Sequence, residues 1–177
     1  DTHLEVFEEC IGTIRSEVLR TRFRNASQVI MDAGNYYEEL KQQDKLHTFP
    51  ASDAIVPGIS KKQMNNLYTD KLSKLGQPAR NYYDRWKLIP TGKCPLCGVR
   101  EVRTLDHYLP KGKYPILAIL PFNLIPSCRD CNTDKLEEIA TCYAEETMHP
   151  YYDVIDNQRW LQANLTRTVP ATFSFRV

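Results

Sequence analysis

The N-terminal part of the chain repeats apolar residues at the three- and four-residue spacing of an amphipathic helix. Leu4, Phe7, Ile11, Ile14 and Val18 fall on one face of such a helix. A second run with the same period occupies Ile30, Ala33, Tyr37 and Leu40. The pattern therefore predicts two helices within about the first 46 residues.

Turn-forming residues separate this part from two further predicted helices. The segment HTFPASDAIVPGIS, residues 47–60, contains two prolines and a glycine and is predicted to be a loop. Ser60 and Gln63 have the spacing of a capping box, and apolar positions continue a third helix to Gly76. Gln77-Pro78 then opens a short helix through Trp86. Residues 1–88 are therefore expected to form a helical subdomain.

The pattern changes after residue 88. Residues 99–105 alternate apolar and polar side chains, as a half-buried strand does. A loop at 110–121 precedes a second predicted strand at 122–128, and 130–146 have one apolar helical face with Leu136, Ile139 and Tyr143. We expect strand, long loop, strand and helix within residues 89–146.

The remaining residues, 147–177, are treated as a C-terminal extension. MHPYYD favours a turn, QRWLQANL (158–165) a short helix, and ATFSFRV (171–177) a strand that pairs back or lies beside further chain. Together these patterns predict an α+β protein, with a mostly helical N-terminal region followed by a small ββα unit.

Composition and charge narrow the function classes. The chain is 42% hydrophobic and 25% charged, which is typical of a globular protein. No apolar run approaches the ~18 residues of a membrane span, so we expect no membrane partner. The net charge is +1, but residues 85–136 carry nine basic and four acidic side chains. This local excess favours binding to phosphates.

Six cysteines add a metal-binding expectation. Cys94, Cys97, Cys128 and Cys131 form two Cys-x-x-Cys pairs, an arrangement that supplies four sulfurs to one tetrahedral zinc ion. A zinc ion with four protein ligands has no open position, so its predicted role is structural. Two disulfides or free thiols are the alternative. Thiolate ligands suit a reducing cytoplasm, where we expect the protein.

The two other cysteines, Cys10 and Cys142, are predicted to be buried core thiols.

Three pieces of the cysteine-rich segment carry a family resemblance: LDHYLPK (105–111), FNLIPSC (122–128) and CRDCNTDK (128–135). Together they resemble the HNH endonuclease family, whose fold is a ββα-metal unit. The resemblance covers about residues 89–146 and implies hydrolysis of nucleic-acid phosphodiesters with one divalent ion, Mg²⁺ or Mn²⁺. YYDRW (82–86) and HPYYD (149–153) add a similarity to bacterial HNH proteins associated with phage defence.

The resemblance assigns roles that the chemistry of the side chains supports. His107 has a reference pKa of ~6.5, near working pH, and suits a general base that activates water. Asp106 offers a hard oxygen to Mg²⁺. By family position Asn132 is the second ligand of that ion, with a helix N-cap as the alternative. Asn123 matches the middle asparagine of the family and is expected to hold the loop that bears His107.

Basic residues surround this predicted site. Lys111, Lys113, Arg129 and Lys135 are candidates for phosphate contacts, with solvated surface as the alternative. The expected function is a metal-dependent endonuclease with structural Zn²⁺, acting on DNA, with RNA also possible as substrate. A non-catalytic zinc-knuckle binding module is the first alternative. The second is an interaction module whose helices bind a partner ATPase or sensor protein.

Overall fold

The computed structural model describes residues 1–52, 58–89, 91–135, 139–154, 162–167 and 170–176 of the 177-residue chain. These ranges contain α-helices and two separate two-stranded antiparallel sheets. The helices are α1 His3–Gly12, α2 Glu17–Asn25, α3 Ser27–Gln42, α4 Lys61–Asn66, α5 Arg80–Lys87 and α6 Arg129–Asp134. The strands are β1 Thr104–His107, β2 Leu124–Ser127, β3 Gln162–Thr166 and β4 Thr172–Arg176. The α+β prediction is therefore confirmed at the level of mixed helices and small sheets.

The first predicted helix is two helices in the structure. Helix α1 ends at Gly12, and the Ser16 hydroxyl accepts a hydrogen bond from the Leu19 N–H to start α2. Because the chain turns between them, Leu4 and Val18 do not share a face and are 49% and 64% exposed. The assumption of one continuous apolar stripe was wrong, since a serine cap restarts the helix.

Local signals in residues 60–87 predicted the elements well. The Ser60–Gln63 capping box is present, with both reciprocal hydrogen bonds, at the start of α4. A π-helical segment, Leu67–Leu72, continues directly from α4. Helix α5 follows Pro78, as predicted. Of the predicted loop at 47–60, residues 53–57 lie outside the described ranges.

Strand β1 lies later in the sequence than predicted. It pairs antiparallel with β2, with Thr104 opposite Ser127 and His107 opposite Leu124. Residues 99–103 precede this strand, because Arg100 accepts a hydrogen bond from the Cys94 N–H and completes the first cysteine turn instead. The predicted strand at 122–128 is confirmed over its central four residues.

The predicted helix at 130–146 is much shorter. Helix α6 ends at Asp134, and the described residues 139–142 are not helical. Glu145 explains the break near Thr141, because its carboxylate accepts from both the Thr141 N–H and hydroxyl at 2.8 Å. This local bond competes with a helical backbone. Leu136 lies outside the described residues.

In the C-terminal extension the structure has two antiparallel strands where a helix and a strand were predicted. Residues 162–165, predicted to be helical, belong to β3, whereas the predicted strand is confirmed at Thr172–Arg176. The two strands pair with each other, and every residue in them is exposed. Residues 158–161 of the predicted helix lie outside the described ranges.

Two hydrophobic clusters connect the N-terminal helices to the β1–β2 unit. In the first, Phe7 and Ile30 share a core with Leu105, Ile119 and Leu124. In the second, helix α3 meets the loop after β1; its members include Tyr37, Leu40, Tyr108, Leu117 and Ile125. The helices therefore form part of the scaffold that holds β1, and the boundary near residue 88 stays a prediction. No helix in the described ranges is long and apolar enough to cross a membrane.

Candidate functional site

The two Cys-x-x-Cys turns bring four sulfurs to one point. The Sγ atoms of Cys94, Cys97, Cys128 and Cys131 all lie within 4.8 Å of one another, and Cys97 Sγ is 4.0 Å from Cys128 Sγ. Zinc–sulfur bonds of ~2.3 Å in a tetrahedron separate the sulfurs by about 3.8 Å. These four residues, called the cysteine cluster below, could therefore bind zinc.

The backbone geometry and the hydrogen bonds around the cysteine cluster favour binding of a cation. Gly98 has φ +67°, a left-handed conformation that closes the first turn and that glycine adopts without strain. Backbone N–H groups of Arg100 and Val99 lower the pKa of Cys97 to about 6, which favours the thiolate. Burial and the neighbouring thiols raise the pKa of Cys131. A cation bound at this point would stabilise the thiolate form of the sulfurs.

None of the six cysteines forms a disulfide. Cys10 is fully buried, as predicted. Cys142 is exposed, so the prediction that it is a core thiol was wrong. It lies in an extended surface segment after the end of α6.

Asn123 organises the long connection between the strands. Its side-chain oxygen accepts from the Leu109 N–H at 2.7 Å, and its amide nitrogen donates to the carbonyls of Leu109 and Leu117 at 3.1 and 3.2 Å. Asn123 is completely buried, so these bonds replace water for all three backbone groups. The side chain thus holds together both ends of the loop that follows His107.

The imidazole of His107 is held in one tautomer. Its Nε2 lies 2.9 Å from the carbonyl oxygen of Ala118. Because a carbonyl can only accept, Nε2 must carry the proton and Nδ1 keeps its lone pair. Nδ1 makes no hydrogen bond to a described residue. Burial lowers the pKa of His107 to about 3, so the ring is neutral at physiological pH.

The side chains of Asp106 and His107 project from opposite faces of β1. Successive strand residues alternate in direction, and Asp106 lines a cleft of ≈ 650 Å³, whereas His107 packs toward the helices. The cleft also contains Tyr108, Cys131 and Lys135. Asp106 Oδ2 is buried without a hydrogen-bond partner among the described residues, and burial raises the pKa of this carboxyl group. An orphaned carboxylate oxygen suits a cation or a proton.

Lys135 is bonded to the backbone of β1. Its ammonium group donates to the carbonyl oxygens of His107 and Tyr108 at 3.2 and 2.6 Å. Burial lowers the pKa of Lys135 to about 8, and Asp106 opposes this shift. This amine ties α6 to the end of the strand.

The other predicted site residues lie around α6 and the loop. Cys128 is the N-cap of α6, so the alternative that Asn132 caps this helix was wrong. Asn132 is the fourth residue of α6 and is partly exposed. Arg129 and Lys113 are exposed and Lys111 is partly exposed, which leaves these side chains open to a polyanion.

An ionic network anchors the HPYYD segment, which the sequence predicted to form a turn. Lys41 Nζ lies 2.7 Å from Asp153 and 4.0 Å from Glu146. Glu146 also accepts from the His47 main-chain N–H at 2.7 Å. His149 is completely buried, and its Nε2 lies 2.9 Å from the Tyr37 hydroxyl. These contacts fix residues 146–153 against α3 beside the cleft.

Comparisons with known proteins identify one distant similarity. The chain is 29% identical to "Protein ea31" of Escherichia phage lambda over an alignment of 186 residues. The alignment covers 99% of this chain and 63% of the phage protein, so the chain spans less than two thirds of that relative. No family model matches the chain, and no solved structure matches it.

Proposed function

We propose that this chain is an HNH-type endonuclease that hydrolyses DNA phosphodiester bonds, with zinc in the cysteine cluster as a structural ion. The observation that carries the proposal is the state of His107. Its Nε2–H is donated to Ala118 and its Nδ1 lone pair is left for another proton. A neutral imidazole with a fixed tautomer can accept a proton at Nδ1. Its pKa of about 3 is well below the value near working pH expected from the sequence, so it is a weaker base than a free histidine.

The proposed base and the proposed metal ligand suit an in-line displacement. In that geometry the attacking water and the leaving oxygen lie on opposite sides of the phosphorus. His107 and Asp106 occupy adjacent positions at the end of β1 and point to opposite faces of the strand. A phosphodiester placed across the end of β1 would have the imidazole on one side and the carboxylate on the other.

Asp106 and Asn132 would hold a divalent ion in this proposal. The buried, unpartnered Oδ2 of Asp106 fits such a ligand, and oxygen donors favour Mg²⁺ or Mn²⁺. When bound, the ion would supply charge stabilisation for the leaving 3′ oxygen. Asn123 acts through the backbone, because its three hydrogen bonds hold the loop beyond His107.

The exposed basic side chains of the segment would contact phosphates on both sides of the cleaved bond. Arg129, Lys111 and Lys113 are accessible for this purpose. Lys135 would instead support the strand, since its amine is bonded to two carbonyls. Such contacts carry little sequence information, so we expect weak sequence preference.

The burial of His107 favours one alternative, a zinc-knuckle module that binds nucleic acid without cutting it. The residue exposes only 8% of its surface, so access of water to the imidazole is narrow. The two functions differ in a simple assay. Zinc-loaded protein is incubated with Mg²⁺ or Mn²⁺ and with supercoiled plasmid, linear DNA or RNA. Ion-dependent cleavage supports the nuclease, whereas binding without cleavage supports the alternative.

The proposal also includes a place in a defence system. HPYYD and YYDRW flank the proposed nuclease unit, and both are built into the helical scaffold through α3 and α5. We expect the protein to lie in the cytoplasm and to act as an effector with an ATPase or sensor partner. Affinity purification of the tagged chain from its native host cells tests this point. Recovery of the chain without such a partner would contradict it.

A further inference from the structure

Tyr68 brings the N-terminal helices into contact with the proposed base. The residue lies in the π-helical segment Leu67–Leu72, and its ring is edge-on to the His107 imidazole, with centroids 4.4 Å apart and an interplanar angle of 67°. π-helical turns are rare and occur frequently at functional sites. Tyr68 lies outside residues 89–146, the segment that resembles the HNH family.

The Tyr68 hydroxyl is fixed to the strand that carries His107. It donates to the Leu105 carbonyl oxygen at 2.9 Å. Tyr108 N–H donates to Asn123 O, so the alternation of an antiparallel ladder directs the Leu105 carbonyl away from β2. Tyr68 thus donates to a carbonyl that makes no bond to β2, and the Thr104 hydroxyl donates to the same oxygen at 3.3 Å. This bond fixes the Tyr68 ring relative to β1.

The backbone on both sides of Tyr68 is held in the hydrophobic core. Leu67 is 2% exposed and Leu72 is fully buried, in the same cluster as Leu105 and Leu124. Moving the ring away from His107 would require this segment to leave the core. The Tyr68 ring is therefore held rigidly beside His107 and is not part of a mobile lid.

We propose that Tyr68 is a positioning residue for His107: its ring packs edge-on against the imidazole and fixes the imidazole plane. The inference rests on the proposed nuclease function and extends the site into the N-terminal helices. The ring restricts rotation of the imidazole, so that Nε2 stays on the Ala118 carbonyl and Nδ1 keeps one direction. The hydroxyl fixes the Tyr68 ring relative to β1 and makes no hydrogen bond to the imidazole.

Cleavage kinetics of three variants test this role. Tyr68→Leu removes the ring, Tyr68→Phe keeps it, and Phe7→Leu makes a comparable change elsewhere in the same core. We expect Tyr68→Leu to lower kcat for plasmid nicking at least about tenfold with KM changed less than about threefold. Tyr68→Phe and Phe7→Leu should keep kcat within about threefold of wild type, after correction for the folded fraction. Unchanged or faster cleavage by Tyr68→Leu would overturn the proposal.

A second measurement separates this inference from the nuclease assignment. Two-bond ¹H–¹⁵N correlation spectra at pH 7 report the tautomer of each histidine, with His107→Gln used to assign the signals. Wild type and Tyr68→Phe should show His107 as the Nε2–H form, and Tyr68→Leu should show a mixture of tautomers. A single Nε2–H form in Tyr68→Leu refutes positioning by Tyr68, whether or not the protein cuts DNA. If the wild type does not cleave DNA, the nuclease assignment is refuted, but the tautomer measurement still tests the role of Tyr68.

Discussion

Asn123 holds Leu109 by both of its main-chain groups, with the N–H donating to Oδ1 at 2.7 Å and the carbonyl accepting from Nδ2 at 3.1 Å. Asn123→Ala would leave these buried groups without partners. We expect the free energy of unfolding to fall by roughly 2–4 kcal/mol, because each unsatisfied group costs about 1–3 kcal/mol. Urea denaturation measures the loss. Asn35→Ala, at an exposed position of α3, is the control and should change stability by less than about 0.5 kcal/mol.

The cysteine cluster predicts the metal content of the purified protein. Wild type should contain one tightly bound zinc ion per chain, measured by inductively coupled plasma mass spectrometry. Cys131→Ser should lose that ion and unfold the segment around β1 and β2, because zinc binding is coupled to folding. Cys142→Ser changes an exposed thiol outside the cluster and should keep the ion. Full zinc content in Cys131→Ser would contradict a four-sulfur site.

The ion pair of Lys41 and Asp153 predicts a large loss of stability for a substitution outside residues 89–146. Lys41 is 3% exposed, and Lys41→Met would leave the buried Glu146 carboxylate and the partly exposed Asp153 carboxylate without their cation. Loss of one partner of a buried pair costs about 3–5 kcal/mol. Thermal and urea unfolding measure this change, with exposed Lys45→Met as the control. Adding Asp153→Asn should recover part of the lost stability; further destabilisation would refute the pairing.

The buried His149 predicts a loss of stability on acidification. Burial, with a smaller contribution from Lys41, lowers the pKa of His149 to about 3. Between that value and the unfolded pKa of ~6.5, the unfolded state binds the proton and the folded state does not. Stability is therefore highest above pH 6.5 and should fall toward pH 3, by up to about 1.4 kcal/mol per pH unit for this residue.

Urea unfolding of wild type and His149→Gln at pH 7, 6 and 5 tests this pH dependence. The variant lacks the titrating group, so its stability should depend less steeply on pH. Equal slopes for the two proteins would show that His149 does not contribute, even if the variant is less stable at every pH.

Features set by a few neighbouring residues were predictable from the sequence. The Ser60–Gln63 capping box depends on side chains three positions apart. The two Cys-x-x-Cys pairs, which begin at Cys94 and at Cys128, each depend on a turn of four residues. The α3 periodicity correctly marked Tyr37 as buried. In each case the interactions that fix the geometry are local, so the spacing alone contains the information.

Features set by distant contacts were not predictable. The side chain of Tyr68 reaches Leu105, 37 positions away, and no periodicity distinguishes it from an ordinary core tyrosine. The Lys41–Asp153 pair is similarly remote. The end of α6 was also missed, because an apolar helical period continues through residue 143 while local side-chain bonds favour a non-helical backbone near Thr141.

The most direct test of the account compares nicking of supercoiled plasmid by wild type and His107→Ala in the presence of Mg²⁺. Wild type should nick the plasmid, and the variant should be slower by ~10²–10⁴-fold, the usual contribution of a general base. The variant should keep its zinc and its fold, and His47→Gln, which changes a different histidine that lines the cleft, should remain active. Nicking by His107→Ala at the wild-type rate would contradict the central claim.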